Sequence, residues 1–385
     1  MLFYSLAMFV SGKLGDRYNK KIILVIGMIM TSFTLLFFGY VSERLHIYNT
    51  AWYFTFWILN AIAQSTAWPI LIAIMGSWLN KSSEGKVMGM WSSCASFGNI
   101  VGSEIAAIML PSGYENVFMV SAIWILIVAT LIMVFLKSDP SEAGFIEIQS
   151  VPSTSDTEAL VSSTENTSSS VEFGFCNALK LPGVILCSLC FACLKIVVYG
   201  FFFWLPFYLH NKYGWDEYLD DQLSIWFDVG SVAGGIILGW ISDKLGFRIT
   251  VIEVSILVSI PFLIVYNDCL PAYVWINAIF MCILGLLIGG CNSIMGTAVT
   301  HDLANHPMAQ GRAMSTVAGI IDGTGSFGAA LGQLVIPIIQ QLFGWDGVFV
   351  MFVLSLIIAW ILLLPMFIDE IKQIWRNTRA TVEDS

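Results

Sequence analysis

The chain has 385 residues, of which 57% are hydrophobic and only 11% are charged, whereas an ordinary soluble domain has about 25% charged residues. The formal net charge of −10 argues against a nucleic-acid partner, because neutralising a phosphate backbone needs clustered Lys and Arg. A water-soluble fold cannot cover this much apolar surface. The composition therefore predicts an integral membrane protein with the lipid bilayer as its surroundings.

Eleven apolar runs, separated by charged or turn-rich breaks, predict an all-α membrane protein of about eleven transmembrane helices, since about 20 apolar residues cross a bilayer core of ~30 Å. The first run is a stub of about half this length. The runs are 1–11, 22–41, 52–79, 88–110, 116–136, 184–209, 222–241, 249–266, 272–298, 312–340 and 347–368. The eight cysteines lie mostly inside these runs and are interpreted as small apolar fillers, so we expect no metal site and no cofactor.

A Ser-rich, acidic segment at 138–180 predicts a flexible cytosolic linker, because it cannot bury enough apolar area to order itself. It separates an incomplete N-terminal helical bundle, 1–137, from a C-terminal six-helix bundle, 181–371. Residues 372–385 form a cytosolic tail. Nearly all Lys and Arg residues lie in one set of loops, which predicts that this set is cytosolic. The opposite loops carry only Arg44 and Lys212, and Lys195 lies in the middle of an apolar run.

The two halves of the chain resemble each other at an offset of about 227 residues. Such an internal repeat of membrane helices is typical of transporters, whose substrate site lies between the repeats. The second half has six runs and the first has five, so the sequence predicts that one N-terminal helix is absent. The matching residues are Gly12, Asp16 and Arg17 with Gly239, Asp243 and Lys244, and Gly85-Lys86 with Gly311-Arg312.

The run Gly12-Lys-Leu-Gly-Asp16-Arg17-Tyr-Asn-Lys-Lys resembles the cytosolic loop motif between helices two and three of the major facilitator superfamily. This resemblance implies a fold of two pseudo-symmetric helical bundles. It also implies a gating motif in each half, in which glycines allow close helix approach and an acidic side chain faces a helix N-terminus. The gating residues would be Gly12, Asp16, Arg17, Gly239, Asp243 and Lys244.

Finer motifs are similar to those of the organophosphate:phosphate antiporter family and its eukaryotic branch, the sugar phosphate exchangers. They include Gln64-x-x-x-Trp68-Pro69, Tyr199-Gly200-x-x-x-Trp204, Phe227-Asp228 and Ile321-Asp322-Gly323. The resemblance extends from Met1 to about Ile371. It implies exchange of a phosphorylated sugar or related ester for inorganic phosphate by rocking of two bundles, without covalent chemistry, in the endoplasmic reticulum or endolysosomal membrane.

Two departures from this family affect the anion site. Family members carry an arginine on the first helix, which is missing here, and a second basic residue where this chain has Val198. Lys195 lies one turn earlier on nearly the same helix face. With a single cation and an incomplete first bundle, the chain is expected to transport poorly.

Three buried charges are candidate site residues, since a charge at the bilayer centre costs at least ~2.5–3.5 kcal/mol. Lys195 is interpreted either as a phosphate contact or as the structural partner of Asp322. Asp322 and Asp228 either carry a coupling proton or serve as structural carboxylates.

Polar and aromatic residues complete the predicted site. Lys195, Tyr199, Trp68 and Asn99 form the predicted substrate-binding set; packing and hydrogen bonds between helices are the alternative for the last three. The same alternatives hold for Asn60, Gln64, Asn277, Asn292, Trp204 and Gln333. His301 and His306 are assigned to a cytosolic loop and given no role.

Three functions remain open from the sequence. The first is a secondary antiporter that exchanges organophosphates, and the second is a facilitator of another organic anion, with or without proton coupling. The third is a truncated, non-transporting membrane protein that acts through a protein partner. An enzyme is not predicted, because no nucleophile with its base, phosphate-binding Gly-rich loop or metal cluster is recognisable.

Overall fold

A computed structural model describes residues 1–79, 84–144, 174–215, 217–268, 273–309 and 313–383. Within these ranges the chain forms helices joined by short turns, with no β-strand among them. The long helices are α1 (Leu2–Arg17), α2 (Lys20–Arg44), α3 (Thr50–Trp78), α4 (Lys86–Ser112), α5 (Tyr114–Phe135), α6 (Val184–Tyr213), α7 (Glu217–Leu245), α8 (Arg248–Asp268), α9 (Val274–Ala304) and, on either side of Gly344, α10 (314–343) and α11 (345–383).

The described helices account for eleven membrane segments, as the sequence predicts. Among the described residues, nine helices are long and apolar enough to cross a membrane and together hold ten of these segments; one of the nine, Met314–Arg376, has 63 residues. At 1.5 Å per residue this is about three times the ~30 Å of a bilayer core. Gly344 interrupts it with φ 72° and ψ −169°, so it crosses twice. Leu2–Arg17, with 16 residues, is the short eleventh segment.

Polar residues at the membrane boundary determine where the helices begin. Asn19 precedes α2 and its Oδ1 accepts a hydrogen bond from the backbone N–H of Ile22 at 3.2 Å. Asn49 precedes α3, and its Oδ1 accepts a hydrogen bond from the backbone N–H of Ala51 at 2.8 Å. A side-chain acceptor at this position satisfies an N–H that has no partner within the helix, which stabilises the helix end in the polar headgroup region.

The large core lies in the second half of the molecule, where α6 packs against α10 and α11. Phe191 and Tyr266 are among its largest fully buried side chains, and the rings of Phe201 and Phe227 stack with centroids 5.0 Å apart. In contrast, Cys94–Met109 of α4 contains no buried residue. Part of this stretch of α4, including Ser96 and Asn99, lines cavities instead of a packed core.

Glycine allows α7 and α9 to approach closely. A Cβ atom on Gly230 of α7 would lie 2.0 Å from the carbonyl oxygen of Cys282 on α9. Backbones at this distance can pack only without a side chain between them, as is typical of membrane helix pairs.

Several predictions concern residues outside the described ranges. They are the greater part of the Ser-rich linker, Gly311-Arg312 of the repeat and Cys269. The flexibility of the linker stays a prediction, and so do the domain boundaries at 137, 181 and 371.

Candidate functional site

A cavity of about 270 Å³ lies between the two halves of the molecule. Helices α1, α3 and α4 of the first half line one side, and α6, α7, α9 and α10 of the second half line the other. Its position agrees with the expected location of a substrate site between two repeats. Residues that carry its chemistry are Tyr4, Trp68, Ser96, Lys195, Tyr199, Asp228 and Asp322.

Lys195 on α6 is the only lysine or arginine among the described residues that line this cavity. It is 5% exposed. Its Nζ donates to Oδ1 of Asp322 at 2.5 Å and to Oγ of Ser326 at 3.1 Å, both on α10. The ion pair proposed as the structural role of Lys195 is therefore present. It does not exclude ligand binding, because both members of the pair line the cavity.

Aromatic rings surround the ammonium group. Nζ of Lys195 lies 4.8 Å from the ring centroid of Phe191 and 5.8 Å from that of Tyr199, within the range of a cation–π interaction. From the first half, α1 contributes Tyr4, which lies close to Asp322. Tyr4 was not among the predicted site residues, since a tyrosine in an apolar run gives no signal of its own.

Neutral hydrogen-bonding groups supply the remaining polar lining. Ser92 and Ser96 lie on α4, Ser231 on α7, and Asn292 and Ser293 on α9. Hydroxyl and amide groups can each donate a hydrogen bond to an anion. The hydroxyls of Ser92 and Ser231 donate to backbone carbonyls of their own helices, and that of Ser96 contacts Asp228. The cavity therefore offers one cation together with the neutral donors of Asn292 and Ser293 on α9.

A second cavity of about 350 Å³, here called the vestibule, lies beside the first. The two share Phe202, Phe227 and Asp228. The vestibule is also lined by Asn99 and Glu104 of α4. It extends along α4 towards Ser112, away from the gating motif.

The four predicted substrate residues separate into two groups. Lys195, Tyr199 and Trp68 line the central cavity, where Trp68 stacks on Trp91 with ring centroids 5.0 Å apart. Asn99 lines the vestibule instead, and its Nδ2 donates to Oδ2 of Asp228 at 3.5 Å.

Other polar candidates hydrogen-bond between or along helices. Nε1 of Trp204 donates to Oε1 of Gln333 at 2.7 Å. Nδ2 of Asn60 donates to Oγ1 of Thr34 at 2.9 Å, and Oδ1 of Asn60 accepts from Gln64 at 2.7 Å. None of these four candidates is among the described residues that line the central cavity or the vestibule.

The first gating motif joins the two halves at one end of the molecule. The carboxylate of Asp16 accepts the backbone N–H groups of Ser315 at 2.9 Å and Thr316 at 2.7 Å, in the first turn of α10. A carboxylate at a helix N-terminus is favourable for both hydrogen bonding and the helix dipole. Gly12 makes the approach possible, since a Cβ there would lie 2.6 Å from the carbonyl oxygen of Ser315.

In the second motif the carboxylate comes from the second half of the chain and the helix N-terminus from the first. Oδ2 of Asp243 on α7 accepts the backbone N–H of Lys86 on α4 at 2.6 Å. Arg248 lies 3.7 Å from Asp243 and 2.6 Å from Asp302. The carbonyl oxygen of Gly239 accepts a hydrogen bond from Ser242 within α7.

The basic residues of both motifs lie over neighbouring aromatic rings. The guanidinium of Arg17 is 5.6 Å from the ring centroid of Tyr18, and Nζ of Lys244 is 5.2 Å from that of Trp240. In each half the acidic residue makes the contact between the halves, while the ring contact of the basic residue is local.

The assignment of His301 to a loop is wrong. His301 lies in the last turns of α9, is 4% exposed, and its Nε2 is 3.3 Å from the carbonyl oxygen of Gly76 on α3. A Cβ on Gly76 would lie 2.5 Å from the imidazole. His301 is therefore a third contact between the halves at this end, which sequence reasoning missed because neither residue belongs to a motif.

Comparison with known proteins places this arrangement among transporters. A family model for the Major Facilitator Superfamily matches residues 1–318. Sugar phosphate exchanger 3 of Gallus gallus is 39% identical over 396 residues, which cover 98% of this chain and 79% of that protein. Sugar phosphate exchanger 3 of Homo sapiens is 39% identical over 398 residues, with 98% and 80% covered.

Solved structures show the same fold at low identity. The human organic anion transporter MFSD10 superposes with a TM-score of 0.68 at 13% identity, covering 94% of this chain and 82% of that one. The transporter FucP in its outward conformation gives a TM-score of 0.65 at 13% identity, with 94% and 87% covered.

Proposed function

Since the chain belongs to the Major Facilitator Superfamily and its relatives are membrane transporters rather than enzymes, we propose that it exchanges a sugar phosphate or other organophosphate for inorganic phosphate by alternating access. The observation that carries the proposal is Lys195, a buried ammonium group in a cavity between the two halves. The similarity to proteins named sugar phosphate exchanger 3 supports the substrate class.

Electrostatics favours an anion beside Lys195. The attraction between unit charges at contact grows several-fold when water is excluded, and the side chains of Asn292 and Ser293 on α9 can donate hydrogen bonds to phosphate oxygens. The ring of Tyr199 offers a flat surface for the rest of the substrate. These groups distinguish one end of an organophosphate from the other.

Asp322 positions Lys195 when no substrate is bound. An ammonium without a counter-ion is costly at this depth, and Asp322 satisfies it at 2.5 Å. An entering phosphate then competes with Asp322 for Nζ. Because Asp322 competes for Nζ, the substrate binds Lys195 tightly enough to enter the cavity and weakly enough to be released again.

The resemblance to sugar phosphate exchangers supports an endoplasmic reticulum or endolysosomal membrane. Immunofluorescence of the tagged chain beside markers for the two compartments tests this assignment. Staining confined to the plasma membrane would contradict it.

The test of the exchange activity is transport by the purified chain in liposomes loaded with phosphate. Labelled phosphate, glucose 6-phosphate and glycerol 3-phosphate are added outside. We expect uptake above that of protein-free liposomes, loss of uptake in Lys195→Ala and partial uptake in Lys195→Arg. Lys372→Ala serves as the control, because Lys372 is an exposed lysine outside the cavity.

A double variant separates the two interpretations of Lys195. If Lys195 only neutralises Asp322, then Asp322→Asn should restore transport to Lys195→Ala. If Lys195 binds the anion, the double variant stays inactive. Restoration would defeat the proposal.

A further inference from the structure

The charges that line the two neighbouring cavities do not suit an anion by themselves. In the described part of the chain, the cavity and vestibule are lined by one basic residue, Lys195, and by three acidic residues, Asp322, Asp228 and Glu104. Asp322 already neutralises Lys195. A phosphate ester therefore meets a lining with net negative charge, and like charges repel strongly where water is excluded.

Asp228 is the acidic residue that both cavities share. It lies on α7, and its described partners are neutral: Asn99 at 3.5 Å and Ser96, both on α4. The other titratable or charged groups that face this space are Lys195 and Tyr199 on α6, Asp322 on α10, Tyr4 on α1 and Glu104 on α4.

Asp228 differs from Asp322 in the way its charge is balanced. The carboxylate of Asp322 is fixed by an ammonium at 2.5 Å, so a proton there would have to displace Lys195. Among the described residues, the carboxylate of Asp228 accepts hydrogen bonds from neutral groups only, and it also lines the vestibule. A proton can therefore add to Asp228 without breaking an ion pair.

Resting on the proposed function, we propose that Asp228 is the proton-binding site of proton-coupled transport, in which one proton crosses with the organophosphate or phosphate anion. The proton adds to the carboxylate from the vestibule side as the anion binds near Lys195. After the two halves rock, both leave on the other side and the carboxylate is ionised again. The chain would then move its substrate without a counter-substrate as well as by exchange.

Protonation of Asp228 also changes a contact between the two halves. The ionised carboxylate on α7 accepts hydrogen bonds from α4, whereas the protonated acid has a hydrogen to donate and is a weaker acceptor. Loading the proton therefore weakens one link between the halves on the vestibule side. This gives the proton a direct effect on the rocking movement.

The test uses the full chain in liposomes that contain no phosphate. Labelled phosphate or glycerol 3-phosphate is added with the outside made acidic by one pH unit. We expect accumulation up to about tenfold above the outside concentration, since one unit corresponds to about 1.36 kcal/mol per proton, and collapse of this accumulation with a proton ionophore. Asp228→Asn should not accumulate substrate, and Glu104→Gln, which removes the neighbouring vestibule carboxylate, should accumulate it.

The outcomes of these transport assays show separately whether the proposed function, the proton coupling or the assignment to Asp228 is wrong. Exchange in phosphate-loaded liposomes without proton-driven accumulation by the unmodified chain overturns this inference alone, whereas absence of exchange overturns the proposed function. Accumulation by Asp228→Asn, or its loss only in Glu104→Gln, overturns the assignment to Asp228. Where Asp228→Asn shows no flux of either kind, Asp228→Glu retains a carboxylate and must restore accumulation; its failure counts against the proposal.

Discussion

Lys195 is held by an acidic residue, a hydroxyl and two aromatic rings, and each partner affects a different property of the ammonium group. Asp322 balances its charge, and Ser326 fixes its direction. Phe191 and Tyr199 exclude water while still stabilising a cation. A lysine with these partners keeps its charge and its position until an anion competes with Asp322 for it.

Ser326 provides a test of this positioning role. Hydrogen bonds to charged groups contribute about 1.5–3 kcal/mol, so Ser326→Ala should raise the KM for phosphate by about tenfold to a hundredfold. The maximal rate should change less, because Asp322 and Lys195 remain. Exchange in phosphate-loaded liposomes at varied outside phosphate gives both parameters.

A matched control comes from Ser355 on α11, whose hydroxyl bonds to the carbonyl oxygen of Met351 in its own helix. Ser355→Ala should leave the KM unchanged. Equal KM values for Ser326→Ala and the unmodified chain would show that the second contact of Lys195 is irrelevant to binding.

At the scale of the helices, composition and the repeat predict most of what the structure shows. The run 22–41 becomes Lys20–Arg44 and the run 184–209 becomes Val184–Tyr213. The helices are longer than the apolar runs because polar residues at their ends continue the helix into the headgroup region. Apolar length determines that a segment crosses the membrane, but not where its last turn ends.

Contacts between distant helices could not be predicted from the sequence. Asn99 meets Asp228, and Gly76 meets His301, across more than a hundred residues. No motif and no regular spacing in the sequence marks either pair, because these contacts depend on how whole helices pack. Asp16 was predictable because its motif already carries the glycine and acidic residue that a helix N-terminus requires.

The contact of α7 with α9 predicts a steric effect. Gly230→Ala places a methyl group against the backbone of Cys282, where a Cβ would lie 2.0 Å from the carbonyl oxygen. Overpacking of this kind costs about 1–3 kcal/mol, so the melting temperature of the detergent-purified chain should fall. Gly98→Ala is the control, since its Cβ would have no neighbour within 4 Å. An unchanged melting temperature for Gly230→Ala would contradict the close packing.

For the molecule as a whole, the contacts of Asp16 and Asp243 connect the halves reciprocally. Asp16 of the first half caps α10 of the second, and Asp243 of the second half caps α4 of the first. Both contacts lie at the end opposite the vestibule. The vestibule and these contacts therefore define the two ends between which the halves must rock.

Hydrogen exchange tests whether the two contacts open together. Asp16→Asn weakens the cap on Ser315 and Thr316, and we expect faster amide exchange there by about fivefold or more, as a loss of about 1 kcal/mol implies. The amide of Lys86, which Asp16 does not touch, should also exchange faster. Asp369→Asn, at an exposed carboxylate, should change neither. Faster exchange at Ser315 alone would show that the contacts open separately.

The reciprocal arrangement has a consequence for leakage. A carrier must keep ions from running down their gradients whenever it carries no cargo, and a barrier that depends on one bond fails whenever that bond breaks. With Asp16 and Asp243 facing opposite halves, a continuous water path needs both bonds broken at once. If each contributes about 1 kcal/mol and both break in the same opening, their free energies add, which lowers the open fraction about thirtyfold instead of about fivefold for one contact. The second copy of the motif therefore lowers the leak of ions through the carrier, even if one copy would be enough to hold the halves together.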